Sequence, residues 1–348
     1  GGDDSPSPTP VSPSGTPDGV IPGFADPSRW AGRTLRVGAW GGEVQDALRL
    51  ALWRPFASAT GCEILEVVTD YERLQLSTES GDPYVDVLVV DEIWAATDAA
   101  SELLTPIEPG SIDLVPVSSN AAPAYAYGMV SAYRWDNPAS EPPRTWTAWW
   151  NQERFPGERS LWKGPLGTFE FALLADGVAP ADLYPLDIPR AIERLAAISG
   201  AIGDRWWENG REPVTWLSQD RIQFSSAWHY RVVAGQRDAR PIDFVWDQGL
   251  LLADQWVIPN GAVGSDIAAD FLRYASTPEA QASLARLVPL GPIVGGAFDY
   301  LEPTLAAQLP TAPGSIDLLV PLNVAWWAEN FEEANQRFVS DLLGESNV

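Results

Sequence analysis

The sequence predicts an α/β protein of about two domains whose chain leaves the first domain and later comes back to it. Three observations carry this reading. At 348 residues the chain exceeds what one compact core holds. Three strand-then-helix units follow one another early in the chain, the pattern of a mainly parallel sheet. A late apolar strand, Leu250 to Ile258, precedes helices that fit back onto that sheet. A chain that crosses out and back puts two strands in the connection, and lobes joined in this way open and close on a hinge around a ligand.

Residues 1–30 are read as a disordered tether, because GGDDSPSPTPVSPSGTPDG is rich in Ser, Pro and Gly and has almost nothing apolar to bury. The only methionine is Met129, so a segment is expected to have preceded Gly1. An export signal followed by a flexible leash is the pattern of a lipid-anchored surface protein, with the anchoring cysteine just before Gly1. A piece cut from a longer protein, with a disordered tail, fits the composition equally well.

The folded part opens with Leu35, Val37 and Ala39 alternating along a short strand that stops at Gly41-Gly42. From Glu43 the period turns helical, with Val44, Leu48, Ala51 and Leu52 on one face and Phe56 a turn further on. Trp40 sits on the glycine turn at the carboxyl edge of the sheet, where open α/β sheets bind ligands. Such a ring either packs under a loop or faces a ligand. Glu63 to Val68 is the second strand, followed by a helical turn around Tyr71 to Gln75. Tyr84 to Val90, YVDVLVV, is a third strand buried on both faces, and Asp91 to Trp94 then starts a helix running through Leu104.

Pro106 to Pro123 reads as loop, and Ala124 to Tyr133 as the strand that crosses into the second domain. There, Thr145 caps a helix to Trp150, Ser160 to Trp162 is a strand, and Thr168 to Asp176 is a helix ended by Gly177. An amphipathic helix spans Ile188 to Ile198, and Ile222 to Trp228 and Phe244 to Trp246 read as strands. After the return crossing come helices at Ser265 to Ser276, Pro278 to Leu287 and Ala325 to Leu343. The expected division is lobe 1 at 31–123 and 254–310, and lobe 2 at 124–253 and 311–348.

A net charge of -25 argues against nucleic acid or an anionic membrane surface as partner, since phosphates would be repelled. The single cysteine, Cys62, excludes an internal disulfide, and no His/Cys cluster offers a metal site. No run of 18 or more apolar residues is present to span a membrane. Asp254 lies among apolar neighbours on the return strand, where it needs a partner, either a structural arginine or a ligand cation. Glu92 either caps its helix or meets a ligand. His229, the only histidine, reads as a hydrogen-bonded wall residue rather than a metal ligand or general base. One member of each of the pairs Trp149-Trp150, Trp206-Trp207 and Trp326-Trp327 is expected in a core.

In order and spacing, these pieces resemble the extracytoplasmic solute-binding proteins of ABC importers, in the branch that includes the spermidine and putrescine receptors. The resemblance runs from Leu35 to Leu343. It rests on the strand-Trp turn, on YVDVLVV, on PRTWTAWWNQERFPGERSL at Pro143 to Leu161 and on GTFEFALLADGV at Gly167 to Val178. LYPLDIPRAIERLAAI, RWWENGREPVTWL, SAWHYRVV and DQWVIPNGA continue it. The resemblance implies a two-lobed type II periplasmic-binding-protein fold, with a mixed five-stranded sheet in each lobe and a two-strand hinge. It implies a monomer without cofactor, not an enzyme, that hands a small solute to a membrane permease.

Carried over residue by residue, it puts Trp40, Glu92, Trp94, Trp228 and Asp254 at ligand-facing positions. His229 and Tyr230 stand where the family has smaller residues, and Glu43 where it has an aromatic, so these three join the candidate wall with Trp206 and Trp326. The pair of carboxylates that grips a second amine in the polyamine receptors falls here on Gly164 and Gly167, which puts an unmodified polyamine in doubt. A carboxylate-flanked aromatic cage still favours a cationic or amine-bearing solute. Seventeen tryptophans and many carboxylates also suit a carbohydrate-active protein, with paired acids flanking a glycosidic bond. A non-catalytic adhesion protein would need an exposed apolar patch.

Overall fold

A computed structural model describes residues 20–345 except 109 and 137–140. The leash expected before residue 20, and the anchor before it, lie outside the described residues. Residues 21–30, expected to belong to the tether, pack on the fold instead. Ile21 and Phe24 are buried in the first core, and Arg29 and Trp30 both donate to the Asp270 carboxylate, at 2.9 and 2.7 Å.

Among the described residues nine strands are linked: β1 Thr34–Ala39, β2 Glu63–Val68, β3 Val87–Val90, β4 Ala122–Arg134, β5 Arg159–Trp162, β6 Trp206–Trp207, β7 Phe224–Trp228, β8 Ile242–Val257 and β9 Val320–Pro321. They lie in the order β2-β1-β3-β8-β4-β7-β5-β6, with β9 on β8. β2, β1 and β3 are parallel, as successive strand-helix units require. β8 and β4 are antiparallel to each other, and β8 is antiparallel to β3 and β4 to β7. β7, β5 and β6 are again parallel. The two longest strands therefore pair with each other and join one parallel group to the other, which gives the two-lobed, mixed-sheet architecture its two-strand connection. The boundaries expected at 123/124 and 253/254 fall inside these strands.

The phenylalanines and tryptophans separate into two main cores. Leu35, Val37, Phe56, Trp256 and Phe271 pack in one, and Trp146, Trp149, Phe169, Phe171, Trp207 and Trp327 in the other. In the second, Trp146 stacks on Phe171 at 3.9 Å. The fully buried Arg159 donates there to the carbonyls of Trp149, Gly157 and Phe155, at 2.9, 2.6 and 2.5 Å, while burial pulls its pKa down to about 10.

Four expectations change. The third strand is only Val87–Val90, because just before it the Asp86 carboxylate, not a backbone carbonyl, accepts the Arg36 amide of β1, at 2.8 Å. The helix from Asp91 breaks into Glu92–Ala95 and Asp98–Leu103, the second capped by Thr97, whose hydroxyl accepts from the Ala100 amide at 3.2 Å. The separate strands at Phe244 and Leu250 are one strand, β8. It carries a bulge at Gln248, which has φ 58° and bonds Trp146 through its side chain and its carbonyl. A helix at His229–Arg237 was not expected at all.

Candidate functional site

Three carboxyl-edge segments, carrying Trp40 after β1, Tyr71 after β2 and Asp91 after β3, converge where β4 and β8 cross. β1 ends in Trp40 and the pair Gly41-Gly42, with φ of 82° and 64°, a left-handed turn that residues with a Cβ rarely adopt. The turn leaves Trp40 41% exposed, with its ring 5.8 Å from Tyr71. β3 ends in Asp91, which caps the next helix by accepting from the Trp94 amide at 2.8 Å and accepts the Tyr71 hydroxyl on its other oxygen. Tyr71 in turn lies 4.8 Å from Trp94. Glu92 does not cap. Its carboxylate reaches across to the Ala253 amide at 3.0 Å on β8.

Asp254 follows on β8, directly opposite Tyr125 of β4. Residues two apart on a strand share a face, so Tyr125 and Tyr127 both reach it. The Tyr125 and Tyr127 hydroxyls donate to Asp254 at 2.7 and 3.3 Å, and the Trp40 indole nitrogen donates at 3.1 Å. All three donors are neutral. Among the described residues no ion pair involves Asp91, Glu92 or Asp254. Burial raises the Asp254 pKa to about 7, opposed by the Tyr125 hydrogen bond and reinforced by the charge of Asp91. Burial likewise raises Glu92 to about 8, opposed by the Ala253 amide and reinforced by Asp254 and Asp91. The same burial, with Asp254 beside them, pushes the Tyr125 and Tyr127 hydroxyls well upward, so they stay protonated as donors. Three acids held together without a cation form a site that gains from an incoming positive charge.

The opposite wall is aromatic. Trp228 and Tyr230 are nearly parallel, 6.1 Å apart, and both meet Tyr127 edge-on at 6.4 and 6.3 Å. Arg231 lies beside them, with its guanidinium 5.2 Å over the Tyr230 ring and donating to Glu43 at 3.1 Å. Its Nε is buried without a partner. Burial raises the Tyr230 pKa to about 12, opposed by the charge of Arg231 and reinforced by that of Asp254. From Asp91, Glu92 and Tyr127 a cavity of about 420 Å³ continues toward Trp94, Trp162 and Phe331. A smaller one of about 160 Å³ lies beyond Glu92, against Val115, Leu251 and Pro321. Among the described residues no group of acids, histidines or cysteines could hold a metal ion.

Of the ten residues singled out from sequence, Trp40, Glu92, Trp94, Trp228, Tyr230 and Asp254 come together here, with Glu43 at the rim. Three do not. His229 is fully buried. Its Nδ1 accepts from the Gly128 amide at 2.9 Å and its Nε2 donates to the Pro289 carbonyl at 2.7 Å, so no ring nitrogen is free, and burial lowers its pKa to about 4. Trp206 packs edge-on against Phe338 at 5.5 Å. Trp326 packs between Tyr184 and Trp327, at 5.8 and 5.0 Å. Trp149 and Trp150 are both buried, where one of the pair was expected to be. Tyr71, Tyr125, Tyr127 and Arg231 were not foreseen. The alternation in Ala124-Tyr125-Ala126-Tyr127 held the signal for two of them, and the position right after the Trp228-His229-Tyr230 segment held that for Arg231.

The bacterial extracellular solute-binding protein family matches residues 51–311. A gamma-aminobutyric acid-binding protein of Pseudomonas aeruginosa is 29% identical over 328 residues, 90% of this chain and 92% of that protein. Among solved structures, an ABC transporter substrate-binding protein from Bradyrhizobium japonicum is 29% identical, covering 88% of this chain and 99% of its own, with a TM-score of 0.82. A GABA receptor is 28% identical, covers 91% and 99%, and has a TM-score of 0.83. A binding protein from Agrobacterium tumefaciens R10, solved with agropinic acid, is 26% identical, covers 90% and 99%, and has a TM-score of 0.74.

Proposed function

Because this chain belongs to the bacterial extracellular solute-binding protein family and is the substrate-binding component of an ABC importer, we propose that its solute is a small molecule carrying a protonated amine and a carboxylate, such as 4-aminobutyrate. One observation carries the reading. Asp254 is withdrawn from water among three neutral donors with no cation to balance it, next to Glu92 and Asp91. An ammonium group supplies the missing charge, and the rings of Trp40, Trp228 and Tyr230 favour the same cation.

Arg231 supplies the complementary end. Its guanidinium is already spread over Tyr230, and its unpartnered Nε suits a second acceptor such as a solute carboxylate. Two relatives are named for binding 4-aminobutyrate, which has this pair of charges. The polyamine-like pattern is weaker on the same ground, since a second ammonium would face Arg231. Neither the family nor these relatives favour the carbohydrate reading, and the relatives are binding proteins. As a member of an extracellular family, the protein works outside the cytoplasm.

We read the lobes as divided at 123/124, 253/254 and 310/311. Closure about β4 and β8 then brings the Trp228 and Tyr230 wall onto a solute already held by Asp254. Calorimetry with 4-aminobutyrate, putrescine and butyrate tests the assignment. The amino acid is expected to bind at least tenfold more tightly than either single-sign analogue. Tighter binding of putrescine would restore the polyamine-like solute.

A further inference from the structure

The cavity beside the acids is larger and more apolar than an amine and a carboxylate require. Its volume is about 420 Å³, in the range of roughly 300–1,000 Å³ that encloses drug-sized ligands, and far more than an unsubstituted aminobutyrate fills. Its charged groups, Asp91 and Glu92, sit together, and beyond them the walls are Trp94, Trp162, Leu166, Leu322 and Phe331. Phe331 is 41% exposed, an apolar ring left facing open space.

The apolar wall is built in at Gly164. A Cβ there would lie 2.3 Å from the Trp162 indole nitrogen, so only glycine lets that ring lie across the backbone. At Gly167, φ is 76° and a Cβ would lie 2.6 Å from the Met129 sulfur. A side chain at either place, polar or not, would displace an apolar neighbour. Tyr127 joins the two parts of the cleft, because its hydroxyl donates to Asp254 while the residue also lines this chamber.

We propose that the chamber receives an apolar substituent, aryl or branched alkyl, carried by the solute whose amine sits at Asp254. The natural solute is thus a substituted amino acid rather than 4-aminobutyrate itself. This rests on the amine-and-carboxylate reading above and adds the group that the larger cavity selects.

The test compares 4-aminobutyrate with 4-amino-3-phenylbutanoate by calorimetry on the full chain. Burying the ring is expected to tighten binding roughly tenfold. Leu166→Trp fills the chamber and is expected to bring the ratio of the two affinities to about one. Phe331→Ala, at an exposed position that does not threaten folding, is expected to lower the ratio as well. If 4-aminobutyrate binds but the ratio in the unaltered protein is about threefold or less, or if neither substitution lowers it, the chamber proposal is overturned and the amine reading stands. If neither compound binds, both are overturned.

Discussion

Two carboxylates in this protein are each held by three neutral donors, and they do different work. Glu170 is fully buried in the aromatic core. It accepts from the Gly167 amide at 2.8 Å and from the Tyr184 hydroxyl and the Trp327 indole, both at 2.7 Å. Asp254 accepts from Tyr125, Tyr127 and Trp40. Burial raises the pKa of both. The difference lies in what surrounds the cage. The Glu170 donors pack against further rings, so its hydrogen bonds pin the helix Val324–Arg337 to the helix Thr168–Ala175. Around Asp254, one donor is an exposed ring on a glycine turn, another lines an open cavity, and two further acids stand nearby. A sealed cage is structure, whereas an open one beside uncompensated acids is a receptor.

That contrast breaks if exchanging the two acids for amides has the same consequence. Asp254→Asn is expected to weaken binding of an amine solute about a hundredfold, since a charge-assisted hydrogen bond of about 1.5–3 kcal/mol is lost, while the melting temperature of the unliganded protein stays within a few degrees. Calorimetry and thermal unfolding report the two effects separately. Glu170→Gln should do the reverse, costing about 2 kcal/mol of stability in denaturant titrations because one buried donor loses its acceptor, with solute affinity within about twofold. Equal loss of affinity in both variants would erase the distinction. A smaller effect sharpens it. Arg231→Gln is expected to weaken 4-aminobutyrate about tenfold and butylamine hardly at all, and weakening of both alike would make Arg231 a structural prop of Tyr230.

The sequence shows one cage more readily than the other, and for a physical reason. Asp254 stands out because a carboxylate in an apolar strand is costly wherever it lies, and Trp40 stands out because a ring on a glycine turn has no sheet to cover it. Their donors do not stand out. Tyr125 meets Asp254 only through the register of β4 on β8, set by pairing residues 129 positions apart. Arg231 was hidden because the helix His229–Arg237 was not foreseen, so nothing placed its guanidinium near Tyr230. The first strand was legible from local alternation and the third from an unbroken apolar run, whereas β8 read as two because the chain bulges at Gln248 within one strand. Trp206, Trp326 and His229 show the opposite limit. Composition marks such residues as candidates, but only packing says where each ring goes: His229 is buried, and the two tryptophans lean on Phe338, Tyr184 and Trp327.

The central claim is that Asp254, with Glu92, waits for a cation that the protein itself does not supply. Both acids are raised above their ordinary values. Their contribution to folding is therefore complete below about pH 4 and is lost as pH rises through about 7 and 8. An arriving ammonium lowers both pKa values again, so binding must expel protons, and affinity must climb with pH across that window. Calorimetric titration of 4-aminobutyrate at pH 7, in two buffers of different ionisation enthalpy, counts those protons directly. The expected result is release of on the order of one proton per solute bound, shared between Glu92 and Asp254, lowered in Asp254→Asn and largely abolished only when Glu92→Gln is added. Binding with no proton exchange, or with uptake, would contradict the account.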